Sequence, residues 1–328
     1  MATELKTFPS YIELQSKGTC NSNCTICPYS LTRSQYKKEI LPDSLLQRIL
    51  DECKDHKNEI KRIIPYMNNE PTLDSRYLNI LRKLKENCHF VEFSTNASFL
   101  TKDDSTIIVK ENLIDDLRIS FFAGSRENYA KLMPGLNYDL VVKNIHNLSY
   151  INQQYGNPIS ITICVVLCPW IDMESEINLI HFMFPEIPIH MFGYLDRAEN
   201  NIIKDNKLIE KIKNGNPLRG CELNRIDERM NICANGDVII CSQDWNREVI
   251  IGNVFESDIY SIWNSKKFQY IRDLVHGKIN DIDNNFICLR CKLARVKWKN
   301  QQIVPNFCGN KYMSPDGKKL IKEIEKEE

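Results

Sequence analysis

Over the first two hundred residues, short apolar runs alternate with stretches of helical spacing. The runs at 11–14, 62–67, 90–94, 117–121, 159–167 and 187–192 predict strands. Between the first two, Leu45, Leu46, Ile49 and Leu50 fall on one face of a helix predicted over 44–53, and the same spacing predicts helices over 77–84, 138–148 and 177–183. Six strands alternating with helices imply a parallel α/β sheet, either doubly wound or bent into a barrel.

Beyond residue 201 the pattern changes. Residues 204–213 read as a polar connecting helix, and from Cys221 the chain is dense in cysteine, with short strands about 231–240 and 249–254 and a hairpin-like Asn235-Gly236 turn. The division expected is an α/β unit over 9–201, a linker over 202–220, a small domain over 221–312 and a charged tail over 313–328.

Composition narrows the classes. Lys plus Arg and Asp plus Glu both number 43 in 328 residues, so the formal net charge is zero. A broad basic face for nucleic acid is therefore not expected. No run approaches 18 apolar residues, and the first ten residues lack a basic segment followed by an apolar one, so neither a membrane span nor a signal peptide is read. A cytoplasmic location is expected. In a reducing compartment the 13 cysteines point to metal rather than disulfides.

Cys20, Cys24 and Cys27 form C-x3-C-x2-C just after the first predicted strand. Three thiolates so close in sequence can wrap one metal centre while leaving one coordination position open, which is where chemistry occurs. A zinc site borrowing a distant fourth ligand is the other reading. A thioredoxin-like Cys24-x-x-Cys27 pair leaves Cys20 unexplained.

The motif, placed at the start of a βα-repeat domain, resembles that of the radical S-adenosylmethionine (SAM) enzymes. The resemblance implies that the three cysteines hold a [4Fe-4S] cluster whose fourth iron is chelated by SAM, in a partial (β/α)6 barrel with reactive groups at the C-terminal ends of its strands. Met67-Asn68-Asn69-Glu70-Pro71 resembles the family's Gly-Gly-Glu-Pro, Ser94-Thr95-Asn96 its Ser-Thr-Asn-Gly, and Ile119-Ser120 the start of its Ile-Ser-x-Asp-Gly. By that likeness Asn69, Glu70, Ser94, Asn96 and Ser120 face the cofactor. The chain departs where Asn68 and Asn69 replace both glycines, Ala97 replaces the last Gly, Phe122 replaces the Asp, and Ile26 and Met133 replace an aromatic residue and an Arg.

Cys221, Cys241, Cys288 and Cys291 lie in two widely separated pairs, enough to staple a small domain, and alone they read as a zinc knuckle. Together with Gly252-Asn253-Val254 and Ile262-Trp263 they resemble the SPASM/twitch extension of radical SAM enzymes. That likeness implies a small C-terminal iron-sulfur domain with one auxiliary [4Fe-4S] cluster, since Lys297 and Gln301 stand where a second cluster would need cysteines. Cys308 is a spare candidate. Cys53, Cys88 and Cys233 read as core residues, and Cys164 and Cys168 lie in or at the end of the fifth strand.

The activity implied is reductive cleavage of SAM to a 5′-deoxyadenosyl radical that takes a hydrogen atom from substrate, with a flavodoxin or ferredoxin-type reductant as partner. A small polar metabolite (a sugar, aminocyclitol or nucleotide-linked precursor) is the expected substrate, because only 19 residues precede Cys20 and leave no room for an N-terminal peptide-recognition domain. Ribosomal-peptide modification is the alternative, and a non-catalytic zinc or electron-transfer protein the third. Asp196 and Arg197 after the sixth strand and Asp244 with Arg247 after Cys241 are candidates to reach substrate, Asp196 or Asp244 as base, and Cys168 or Cys308 is a candidate hydrogen-atom donor.

Overall fold

The computed structural model describes residues 6–87, 89–201, 215–298, 301–304, 311–313 and 319–320. The connecting helix expected over 204–213, Cys88, Cys308 and most of the tail lie outside them.

Six parallel strands follow in order: β1 (Tyr11–Leu14), β2 (Arg62–Ile64), β3 (Glu92–Thr95), β4 (Asp116–Ser120), β5 (Ser160–Leu167) and β6 (Ile189–Gly193). β1 pairs with β2, and β3 to β6 pair in sequence. A parallel bridge between Ile63 and Val91 joins the two groups. Every crossover carries a helix, as parallel pairing requires. The helix Asp43–Asp55 shows why: Leu45, Leu46, Ile49, Leu50 and Cys53 form its buried face.

Strand alternation sorts the side chains. Ile12, Phe93, Leu117, Ile119, Ile163 and Ile189 point outward into a core shared with the helices. The opposite face is polar. Register aligns Glu92 with Asp116, Ser94 with Arg118, and Ser120 with Cys164 and His190, so these line the barrel interior. There Arg118 pairs with Glu92 at 3.1 Å and Asp116 at 2.9 Å, and Tyr66 donates to Glu92 at 2.7 Å.

The C-terminal part completes both sheet edges. After β7 (Leu218–Cys221), β8 (Arg229–Ile232) adds in parallel to the free side of β1 and continues through β9 (Asp237–Ile239) and β10 (Ile250–Asn253) as an antiparallel meander. The Asn235-Gly236 turn is the expected hairpin, with Gly236 at φ +83°, a left-handed conformation suited to glycine. β11 (Ala294–Trp298) lies between β7 and β12 (Gln301–Val304), while β13 (Lys311–Met313) runs antiparallel to β6 and pairs with β14 (Lys319–Leu320).

Arg247 locks the two parts together. Its guanidinium forks onto Glu39 at 2.9 and 2.6 Å and stacks 4.0 Å over the Tyr36 ring, and Tyr36 donates to the Trp245 carbonyl at 2.9 Å. No helix among the described residues is long and apolar enough to cross a membrane.

Candidate active site

The loop carrying Cys20, Cys24 and Cys27 leaves the C-terminal end of β1 and is strapped down by backbone bonds. Asn23 and Thr25 donate to the carbonyls of Pro134 and Leu132, both at 3.0 Å, and Cys27 donates to Cys24 at 3.1 Å. The Cys20 amide donates to the Tyr29 hydroxyl at 2.8 Å. All three thiols are half-buried. Burial pushes them up, Cys24 to about 12, with mutual repulsion adding for Cys20 and Cys24. Thiols so placed become thiolates together only against a cationic centre, so the donor set fits the iron-sulfur cluster that its spacing implies.

The ends of β2 and β3 meet this loop. Glu70 is buried, and its carboxylate accepts from Thr72 Oγ1 at 2.6 Å, Thr95 Oγ1 at 2.7 Å, the Thr72 amide at 3.2 Å and the Asn96 amide at 2.7 Å. Burial raises its pKa against these donors. Asn96 Nδ2 donates to Asn21 inside the cysteine loop at 3.0 Å, while its Oδ1 accepts from the Ser98 hydroxyl at 2.6 Å. Asn69 Oδ1 caps the Met67 amide at 3.0 Å, leaving its Nδ2 buried and unpartnered. A buried unpaired amide is costly, and it matches a ligand that accepts a hydrogen bond there. Ser94 and Ser120 are half-buried on the interior face of β3 and β4.

The second set surrounds another space. Cys221 ends β7, Cys241 follows β9, Cys288 lies within the turn Ile287–Arg290 and Cys291 follows it. The four line one cavity whose other walls include Arg225, Ile226, Ile240, Val275 and Leu293. Burial pushes Cys241 and Cys288 up, and Cys291 to about 12. Four thiols around an apolar cavity fit a fully protein-ligated cluster.

Between the two sets runs the segment after β6. Arg197, Ala198 and Glu199 are all left-handed, at φ 56°, 55° and 65°. The C-terminal part holds this strained turn: Asn246 Nδ2 donates to Asn200 at 2.5 Å, and Arg290 Nε donates to the Ala198 carbonyl at 3.3 Å. Burial lowers the pKa of Arg197, which feels the charges of Cys27, Arg225 and Cys241. Asp196 is buried beside it.

The remaining candidates are placed differently. Asp244 is fully buried, and its two oxygens accept the amides of Glu248 and Val249 at 2.9 Å each, closing the loop after Cys241. Cys168 is buried in the apolar core at the end of β5, its thiol pushed up to about 12 by burial. Sequence reasoning passed over Arg225 and Glu13, which meet beside Cys241. Alternation along β1 gives a signal for Glu13, an acid on the barrel's inner face.

Two family models match the chain. Residues 15–168 match the radical SAM superfamily, and residues 221–292 match SPASM, an iron-sulfur cluster-binding domain. The chain belongs to the radical SAM enzymes. More narrowly, it is one that carries a SPASM domain, so SAM, a [4Fe-4S] cluster and auxiliary iron-sulfur chemistry come with the family.

Solved structures share the fold. BtrN in complex with AdoMet and 2-DOIA aligns over 92% of this chain and 100% of its own, with 17% identity and a TM-score of 0.57. Streptococcus suis SuiB bound to precursor peptide SuiA aligns over 88% of this chain and 71% of its own, with 19% identity and a TM-score of 0.65. Native anSMEcpe with bound AdoMet aligns over 90% and 93%, with 14% identity and a TM-score of 0.60. No curated protein matches the chain in sequence.

Proposed function

We propose that this radical SAM enzyme is an oxidoreductase or a related radical-transforming enzyme acting on a small polar metabolite, a sugar, an aminocyclitol or a nucleotide-linked precursor, by oxidation or rearrangement. The observation that carries this reading is the barrel interior, where paired charges such as Arg118 with Glu92 and Asp116 make a polar wall. Such a wall suits a hydroxylated substrate, because buried polar groups need polar partners. BtrN, crystallised with AdoMet and 2-DOIA, aligns over its whole length.

Cys20, Cys24 and Cys27 would hold the [4Fe-4S] cluster, which when bound would supply the reducing chemistry for SAM cleavage, with a flavodoxin or ferredoxin-type protein as the electron donor. Asn69, Glu70, Ser94, Asn96 and Ser120 orient SAM at the ends of β2, β3 and β4. Arg197 holds the substrate between the two cysteine sets. Asp196 is the better placed base, since both Asp244 oxygens already accept backbone amides. The core position of Cys168 disfavours it as a hydrogen-atom donor. Cys221, Cys241, Cys288 and Cys291 would hold one auxiliary cluster, which would supply an electron acceptor for an oxidation.

Peptide modification is the second reading, favoured by the likeness to SuiB bound to its precursor peptide. The test is deuterium transfer into 5′-deoxyadenosine from labelled aminocyclitols, nucleotide sugars and peptides. Transfer from a small metabolite, lost in Arg197→Ala while uncoupled SAM cleavage persists, supports the proposal. Transfer from peptides alone overturns it.

A further inference from the structure

Arg225 stands in the short helix Arg225–Glu228, four residues after Cys221. Its Nη1 lies 2.5 Å from Ser242 Oγ, 3.9 Å from Cys241 Sγ and 3.7 Å from Glu13 Oε1. Glu13 sits on β1, inside the barrel, and also accepts from Arg229 Nη1 at 2.8 Å. One guanidinium therefore touches a candidate cluster ligand, that ligand's chain neighbour and a buried carboxylate. The carboxylate is 6% exposed, so these charges act through little water. A structural salt bridge alone would not need the sulfur contact, and Glu13 already has Arg229.

We propose that Arg225 is a positioning and redox-tuning residue for the auxiliary cluster: it donates to the Cys241 sulfur and raises the cluster's reduction potential, while Ser242 holds it in place. This rests on reading Cys221, Cys241, Cys288 and Cys291 as the cluster's ligands. The couple is a single electron, with no atom or proton exchanged. Reduction adds one negative charge, and a nearby cation with an N–H directed at sulfur favours the reduced state. Glu13 carries the opposite charge and opposes that effect. Neutralising the two residues therefore moves the potential in opposite directions, which a general loosening of the fold does not do.

The experiment uses the full chain with Cys20, Cys24 and Cys27 replaced by Ala, reconstituted anaerobically with iron and sulfide, so that only auxiliary iron is present. The midpoint potential is read by dithionite titration with electron paramagnetic resonance. Arg225→Gln lowers it, Arg225→Lys falls between, and Glu13→Gln raises it. An unchanged midpoint in Arg225→Gln, or shifts of the same sign in Arg225→Gln and Glu13→Gln, overturns the proposal. If Arg225→Gln fails to hold iron, Glu13→Gln decides: a raised midpoint supports the role, and an unchanged or lowered one overturns it. Absence of iron from the triple-Ala chain itself would overturn the cluster reading, and the role of Arg225 with it.

Discussion

Glu70 Oε2 accepts the Asn96 backbone N–H at 2.7 Å, and this bond ties the end of β2 to the end of β3 beside the cysteine loop. The other oxygen is filled by Thr72 and Thr95. Glu70→Gln turns one acceptor into a donor facing donors, so at least one buried N–H or O–H loses its partner, costing about 1–3 kcal/mol. The variant is expected to melt lower and to bind SAM more weakly while iron per chain stays constant. Equilibrium dialysis with SAM checks this, and unchanged affinity would mean that the 68–70 segment does not face the cofactor.

Ala97 stands where the family carries glycine, and its φ of 58° explains the family's choice. An L-residue with a Cβ is held there at a cost of about 1 kcal/mol. Its amide still donates to Thr95 Oγ1 at 3.0 Å, and its carbonyl accepts from Asn144 at 2.8 Å. Ala97→Gly should therefore gain up to about 1 kcal/mol in urea unfolding, less glycine's own entropy, with SAM cleavage unchanged. A loss of stability would contradict the strain.

Arg247 and Glu39 join the C-terminal part to the segment after the cysteine loop, with side chains 9% and 18% exposed. Arg247→Ala strands a carboxylate and removes the stacking on Tyr36, so a loss of about 3 kcal/mol is expected, the range for breaking a largely buried pair. Denaturant unfolding measures it. A loss below about 0.5 kcal/mol would show that the fork behaves as a surface pair.

Much of this architecture was legible in the chain. All six barrel strands announced themselves as apolar runs, because one face of each packs on helices, although the run at 62–67 yields only Arg62–Ile64 as strand. The Asn235-Gly236 turn and the cysteine spacings were equally plain, since each follows local chemistry. Other elements gave no such signal. The helix Lys102–Lys110 buries only Ser105, Ile108 and Val109, too few to show a periodic stripe. β7 and β11 are short strands set by their pairing with each other across some seventy residues, not by alternation. The placement of Asp244 and Cys168 could not be read either: a lone acid after a cysteine looks the same whether it caps a loop or meets substrate. Arg225 was hidden because its partner Glu13 lies some two hundred residues earlier.

His190 lies in the barrel interior, stacked on Phe192 at 4.0 Å. Burial first, and Arg118 second, push its pKa down to about 4. The fold thus holds the neutral ring. Since the folded-state value lies below the ordinary value near 6.5, its contribution is complete above that pH and lost as pH falls towards 4. Unfolding free energy should drop through that window, less steeply in His190→Gln. Equal slopes for the two proteins would contradict the assignment.

The central claim is that the two cysteine sets hold two iron-sulfur clusters, one of them cleaving SAM. Anaerobic reconstitution, followed by an iron count and an assay for 5′-deoxyadenosine with dithionite and SAM, tests it most directly. The account predicts about eight irons per chain, from two four-iron clusters, and 5′-deoxyadenosine formation. With Cys20, Cys24 and Cys27 replaced by Ala, half the iron and all the cleavage should be lost. Stoichiometric zinc at Cys288 and Cys291, or a fully iron-loaded chain that leaves SAM intact, would contradict it.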